Sequence, residues 1–123
     1  MYTLDTNAII YYFKGDEDSV RILNEIFSEN LPLYVSALTE TELFSFSHLT
    51  PRDAERIEGL IRTVAVIPVD SRIARIAGLL RRKYRLAIAD SVIAATALFT
   101  GTTLLTRNIR DFKRIPNLLL QKI

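Results

Sequence analysis

Five short strand-like runs, separated by stretches of helical period, constrain this chain most. Residues 2–5 (YTLD), 32–36 (PLYVS), 64–69 (VAVIPV), 102–106 (TTLLT) and 117–123 (NLLLQKI) read as strands, and several are apolar on both sides. The intervening segments carry a different signal. Residues 6–13 are apolar and close on Lys14-Gly15, and residues 16–28 place apolar side chains at 20, 23, 26 and 27 behind an acidic start. Residues 38–47 start a third helix. In 50–63, Thr50 is the expected N-cap, Pro51 the first helical residue and Asp53 a first-turn acid. Residues 70–84 repeat apolar side chains at 73, 76, 77, 80 and 84 on one face. The segment 89–101 is so apolar that it reads as a buried helix, stopped by Gly101. Strands alternating with helices imply an α/β sandwich around a parallel sheet, in which ligands bind beyond the carboxyl ends of the strands.

The chain has 123 residues, no internal repeat and no visible linker, so one domain is expected, large enough to bury a core without crosslinks. It has no cysteine, which excludes disulfides, thiolate metal sites and a cysteine nucleophile. Nothing near Met1 resembles a signal peptide, and no run is apolar for long enough to span a bilayer. A cytoplasmic protein without membrane contact is expected. The net charge of +2 conceals an asymmetry: residues 1–70 carry 5 basic and 12 acidic side chains, whereas residues 71–123 carry 11 basic and 2 acidic. Such a split points either to contact with a polyanion or to attraction between two halves of one fold.

The acids fall at telling places. Asp5 ends the first strand, Glu42 lies early in the helix after the second, and Asp90 opens the buried helix. Asn108 and Asp111 follow the strand 102–106. Each has a structural role open to it. Asp5 and Asp90 fit helix N-caps, Thr39 and Glu42 fit a capping box, and Asp111 fits a surface loop. Together, carboxylates converging at strand exits would repel and raise one another's pKa, which a divalent cation relieves. An all-oxygen donor set favours Mg²⁺ or Mn²⁺ over zinc. The lone histidine, His48, has no partner for acid–base work, and the four glycines form no phosphate-cradling loop. A hydrolase built on these residues would need metal-activated water.

Four segments, LDTNAII (4–10), VSALTETEL (35–43), IADSVIAATAL (88–98) and LLTRNIRDF (104–112), together resemble the motifs of PIN-domain proteins, most of all the VapC-type ribonuclease toxins of toxin–antitoxin pairs. The resemblance runs from residue 2 to about 115. It implies a PIN-like three-layer sandwich: a central, mainly parallel sheet of four to five strands flanked by helices. It implies an endoribonuclease using Mg²⁺ or Mn²⁺, with Asp5, Glu42, Asp90 and Asp111 as catalytic acids and Asp5 and Asp90 as the main metal ligands. Thr6, Asn7, Thr106 and Asn108 are implied as supporting residues. Asn108 stands where the family has either an acid or an asparagine, which leaves one metal or two open. Further implied are a cognate antitoxin, whose tail packs on the apolar segment 42–49, and a homodimer.

The basic half then gains a reading as an RNA surface: Arg107, Arg110, Lys113 and Arg114 beside the fourth motif, and a further set over 72–85 that equally fits a solvated helix face. Two other functions compete. A catalytically silent PIN-like binding module would keep the acids for structure. A phosphoacceptor receiver domain shares the chain length and the acid after the first strand, but not the adjacent acid pair or the lysine near the last strand.

Overall fold

A computed structural model describes all residues from Met1 to Ile123. Its elements run β1 (Tyr2–Leu4), α1 (Thr6–Phe13), α2 (Glu17–Ser28), β2 (Leu33–Ser36), α3 (Ala37–Phe44), α4 (Pro51–Ile61), β3 (Ala65–Ile67), α5 (Ser71–Tyr84), α6 (Ile88–Thr100), β4 (Thr103–Thr106), α7 (Ile109–Phe112) and β5 (Leu120–Lys122). The five strands form one sheet in the order β3-β2-β1-β4-β5. Every pairing is parallel, so the sheet is wholly rather than mainly parallel.

All strands therefore end on the same edge. From the central β1 the chain winds outward through β2 and β3, then returns to lay β4 on the other side of β1. The crevice between β1 and β4 is the topological switch point, where open parallel sheets bind their ligands. This order differs from the 2-1-3-4-5 order of receiver-type sheets, which removes the phosphoacceptor reading.

Alternation along the strands builds a core on each face. Leu104 packs with Ile73, Ala77, Leu80, Ile93 and Phe112 beneath α5 and α6. Its neighbour Leu105 packs with Leu4, Ile9, Leu23, Val35 and Ile57 beneath α1, α2 and α4. The result is the expected three-layer sandwich. α6 is buried at every residue from Ser91 to Ala97 and ends at Gly101 in the left-handed conformation (φ 64°), as its composition required. No helix is long and apolar enough to cross a membrane.

Local signals account for most boundaries. Thr50 and Asp53 form a reciprocal capping box, with Pro51 opening α4. Asp16 caps α2 by accepting from the Ser19 backbone N–H at 3.0 Å. Three capping expectations fail, the first being Asp5, which stands at the N-cap of α1 without a side-chain capping bond. α3 is capped by Ser36 (Leu38 N–H to Oγ, 3.1 Å), so Thr39 and Glu42 form no capping box. α6 starts at Ile88 after Ala87, so Asp90 lies inside the first turn and is not its N-cap.

Candidate active site

Asp5 stands at the N-cap position of α1, yet its carboxylate makes no capping bond. Instead Oδ2 accepts the Thr106 hydroxyl proton at 2.7 Å, across the β1–β4 switch point. Thr106 in turn accepts the Asn108 backbone N–H at 2.9 Å. Asp5 is only 4% exposed. Burial, opposed by the Thr106 hydroxyl and reinforced by the negative charges of Asp90 and Glu42, pushes its pKa up to about 6.

Glu42 is brought in by a second hydroxyl. The Thr6 O–H donates to Glu42 Oε1 at 2.7 Å. Because that uses the only Thr6 donor, the 2.9 Å contact with Thr39 runs from the Thr39 hydroxyl to Thr6 Oγ1. The relay Thr39–Thr6–Glu42 ties β2's exit to α1, and both threonines are buried.

Asp90 and Asp111 meet through Asn108. The Asn108 amide donates one N–H to Asp111 Oδ2 at 3.1 Å and the other to Asp90 Oδ2 at 3.4 Å. A neutral donor between two carboxylates relieves a contact that a third acid would worsen. Asp90 has its pKa raised, first by burial and then by the charges of Asp111 and Glu42. Its place in the first turn of α6 directs it toward the positive end of the helix dipole.

Four acids from four separate places in the chain thus share one edge of the sheet. None of the chain's ion pairs involves Asp5, Glu42 or Asp90; Asp111 alone has a cation, Arg114 at 3.7 Å. The acids do not close into a cluster of three or more with metal-binding geometry. Asp5 and Asp90 fit a hard divalent cation by donor chemistry: two oxygen-donor carboxylates, one deeply buried, both raised in pKa and neither paired with a cation.

The remaining expected residues divide. Asn7 is exposed on α1, and Arg110, Lys113 and Arg114 are exposed beside Asp111. Arg107 turns to the opposite face. It pairs with Asp16, donates to Ser19 Oγ at 3.1 Å and to the Ile123 carbonyl at 2.9 Å, and lies over the Tyr11 ring at 4.1 Å. Thr39 and the Ser36 cap were not identified from sequence as parts of the site. Thr39 lies in the segment VSALTETEL (35–43), but only the fold brings it to Thr6.

The principal cavities lie elsewhere. One groove of about 330 Å³ is lined by Ile10, Phe13, Leu43, Phe46 and Ile57 among others, with Phe46 half exposed. None of the three principal cavities contains the four acids.

Residues 2–118 match the PIN domain family. The chain belongs to the PIN-domain family. The relatives of this PIN domain include Ribonuclease VapC2 of Rickettsia felis, 28% identical over 98% of this chain and 96% of that protein. The tRNA(fMet)-specific endonuclease VapC of Salmonella typhimurium is 30% identical, over 98% of this chain and 96% of its own length. Among solved structures, VapBC2 from Rickettsia felis bound to a DNA fragment from their promoter contains a chain that superposes with a TM-score of 0.84. That chain is 27% identical, and the match covers 99% of this chain and 98% of that one.

Proposed function

We propose that this PIN domain is an endoribonuclease that hydrolyses RNA phosphodiester bonds with Mg²⁺ or Mn²⁺, and that it is the toxin of a toxin–antitoxin pair. The observation that carries the reading is the convergence of Asp5, Glu42, Asp90 and Asp111 at the β1–β4 switch point, three of them without a cationic partner. The names of its relatives point the same way.

Asp5 and Asp90 would hold the cation, whose charge polarises a phosphate oxygen and makes a nearby water more acidic. Thr106 keeps the Asp5 carboxylate turned to the cleft. Glu42, oriented by Thr6, is the group to accept the attacking water's proton. Asn108 holds Asp90 and Asp111 in register without adding charge. Attack at phosphorus breaks the P–O3′ bond, leaving a 5′-phosphate and a 3′-hydroxyl, the latter protonated as it departs. Arg110, Lys113 and Arg114, exposed next to Asp111, attract the polyanion to an otherwise acidic edge.

The same reading assigns the apolar groove over Phe13, Leu43 and Phe46 to a segment of a cognate antitoxin, and expects a homodimer working in the cytoplasm as one domain over residues 1–123. The silent binding module draws on Asn108, which stands where an acid could complete the charge set. Purified protein incubated with a folded RNA pool, in Mg²⁺, Mn²⁺ or EDTA, separates the two. Cuts that need the metal and carry 5′-phosphate ends support the nuclease; no cutting by protein freed of copurified inhibitor supports the module.

A further inference from the structure

Arg107 is the residue of the fourth motif whose side chain leaves the acidic cleft. Strand alternation explains the direction. At the end of β4, Thr106 faces Asp5 and Arg107 faces the opposite layer, the side on which Leu105 packs. There the guanidinium gathers three other elements. Nη2 donates to the Asp16 carboxylate and to Ser19 Oγ at the start of α2, and Nε donates to the Ile123 carbonyl just beyond β5. The group also stacks over Tyr11 of α1, 4.1 Å from the ring centre. Asp16 is held in turn, since it accepts the Ser19 backbone N–H. Backbone pairing adds to the tie: the Ile123 N–H donates to the Thr106 carbonyl at 3.3 Å.

The neighbours of Arg107 on either side organise three of the four acids, Asp5, Asp90 and Asp111. Thr106 holds Asp5, and Asn108 bridges Asp90 to Asp111. We propose that Arg107 is a positioning residue for the nuclease site: its clamp on Asp16, Ser19 and Ile123 fixes the backbone from Thr106 to Asn108, and with it the placement of Asp5 and Asp90. This rests on the nuclease reading above. A planar fork that donates in two directions while stacking on an aromatic ring is a task for arginine that lysine does not fill. The clamp also separates Arg107 from its exposed neighbours Arg110, Lys113 and Arg114, which remain the cations for RNA.

The discriminating partner is Asp16. Removing an acid from beside a cation improves attraction of a polyanion, whereas loosening the clamp impairs catalysis. Arg107→Ala, Arg107→Lys and Asp16→Asn are therefore compared for kcat and KM on RNA, and for Mn²⁺ affinity by calorimetry. The salt dependence of RNA binding is read in an Asp90→Asn background. Asp16→Asn keeps a good helix cap, and Arg107→Lys keeps the charge, so the test survives if Arg107→Ala folds poorly.

The expected result is a kcat lowered roughly 10- to 100-fold in Arg107→Ala at little-changed KM, the size of effect a misplaced group produces. Lysine should fail to restore it, and Asp16→Asn should lower kcat in the same direction. The double variant should be no worse than Arg107→Ala, Mn²⁺ should bind more weakly, and the salt slope should stay unchanged. A raised KM with a salt slope smaller by about one, restored by lysine and untouched or improved by Asp16→Asn, would overturn the inference and make Arg107 an RNA contact. Wild-type protein that neither cleaves RNA nor binds Mn²⁺ would overturn the nuclease reading, and this inference with it. Active wild type with equally active variants overturns the inference alone.

Discussion

Asp5 is a buried carboxylate held by one hydroxyl and faced by two like charges, an arrangement that weakens the fold. Its folded pKa of about 6 lies above the ordinary value of 3.8, so the native state binds more protons than the unfolded chain between those pH values. The contribution of Asp5 to stability therefore falls as pH rises from about 4 to 6, by on the order of 3 kcal/mol for a shift of this size. Asp5→Asn should match the wild type near pH 4, where Asp5 is protonated. At pH 7.5, without metal, it should be the more stable of the two, while losing RNA cleavage. Urea denaturation of both proteins at the two pH values checks this. A gap that does not widen with pH would mean Asp5 is not the strained group described above.

Thr106→Val tests the hydroxyl at nearly constant shape. It removes the donor to Asp5 and the acceptor for the Asn108 N–H. A stability loss of about 1–3 kcal/mol is expected, together with a large fall in kcat. Cleavage at the wild-type rate would show that Asp5 needs no such support. At this scale the acids were legible in the sequence because each follows a strand or opens a buried helix. Their hydroxyl partners were only partly legible. Thr6 and Thr106 adjoin the motifs, but Thr39 reaches Thr6 across 33 positions, and sequence spacing does not report an approach of that kind.

Helices and strands followed the periodic signals closely, because apolar spacing reports which face is buried. The boundaries that slipped were set by tertiary demands. Thr39 looked like a cap but is drawn inward to Thr6, leaving Ser36 to start α3. α7, four residues long, is too short for a 3.6-residue period to show. The wholly parallel character of the sheet rests on β5, whose register against β4 (Leu104 with Leu120) no local pattern fixes. α4 offers a clean test at this scale, since its cap lies away from the acids. Thr50→Ala removes the hydroxyl that accepts the Asp53 backbone N–H, while the Thr50 backbone N–H can still donate to the Asp53 carboxylate, and it should destabilise the protein by about 1 kcal/mol. RNA cleavage below the melting transition should be unchanged; a loss of activity would tie α4 to catalysis.

The charge asymmetry of the whole chain gains a spatial meaning in the fold. The second half, net +9, supplies Arg110, Lys113 and Arg114 beside Asp111, so cations border the acidic cleft. RNA binding should therefore weaken steeply with salt. Replacing these three residues together by alanine should flatten the log–log salt slope by about 0.7 for each phosphate no longer neutralised. An unchanged slope would place the RNA path elsewhere, with the basic residues of α5 the next candidates.

At the same scale, the proposed function makes this edge of the sheet as a whole a metal-dependent nuclease site. The most direct test is cleavage of a mixed, folded RNA pool by wild type and by Asp90→Asn, each in Mn²⁺ and in EDTA, with the fold of the variant verified by its melting curve. The expected result is cutting by wild type in Mn²⁺ alone and none by the folded variant. Equal cutting by Asp90→Asn, or cutting that persists in EDTA, would contradict a metal-dependent site at these acids.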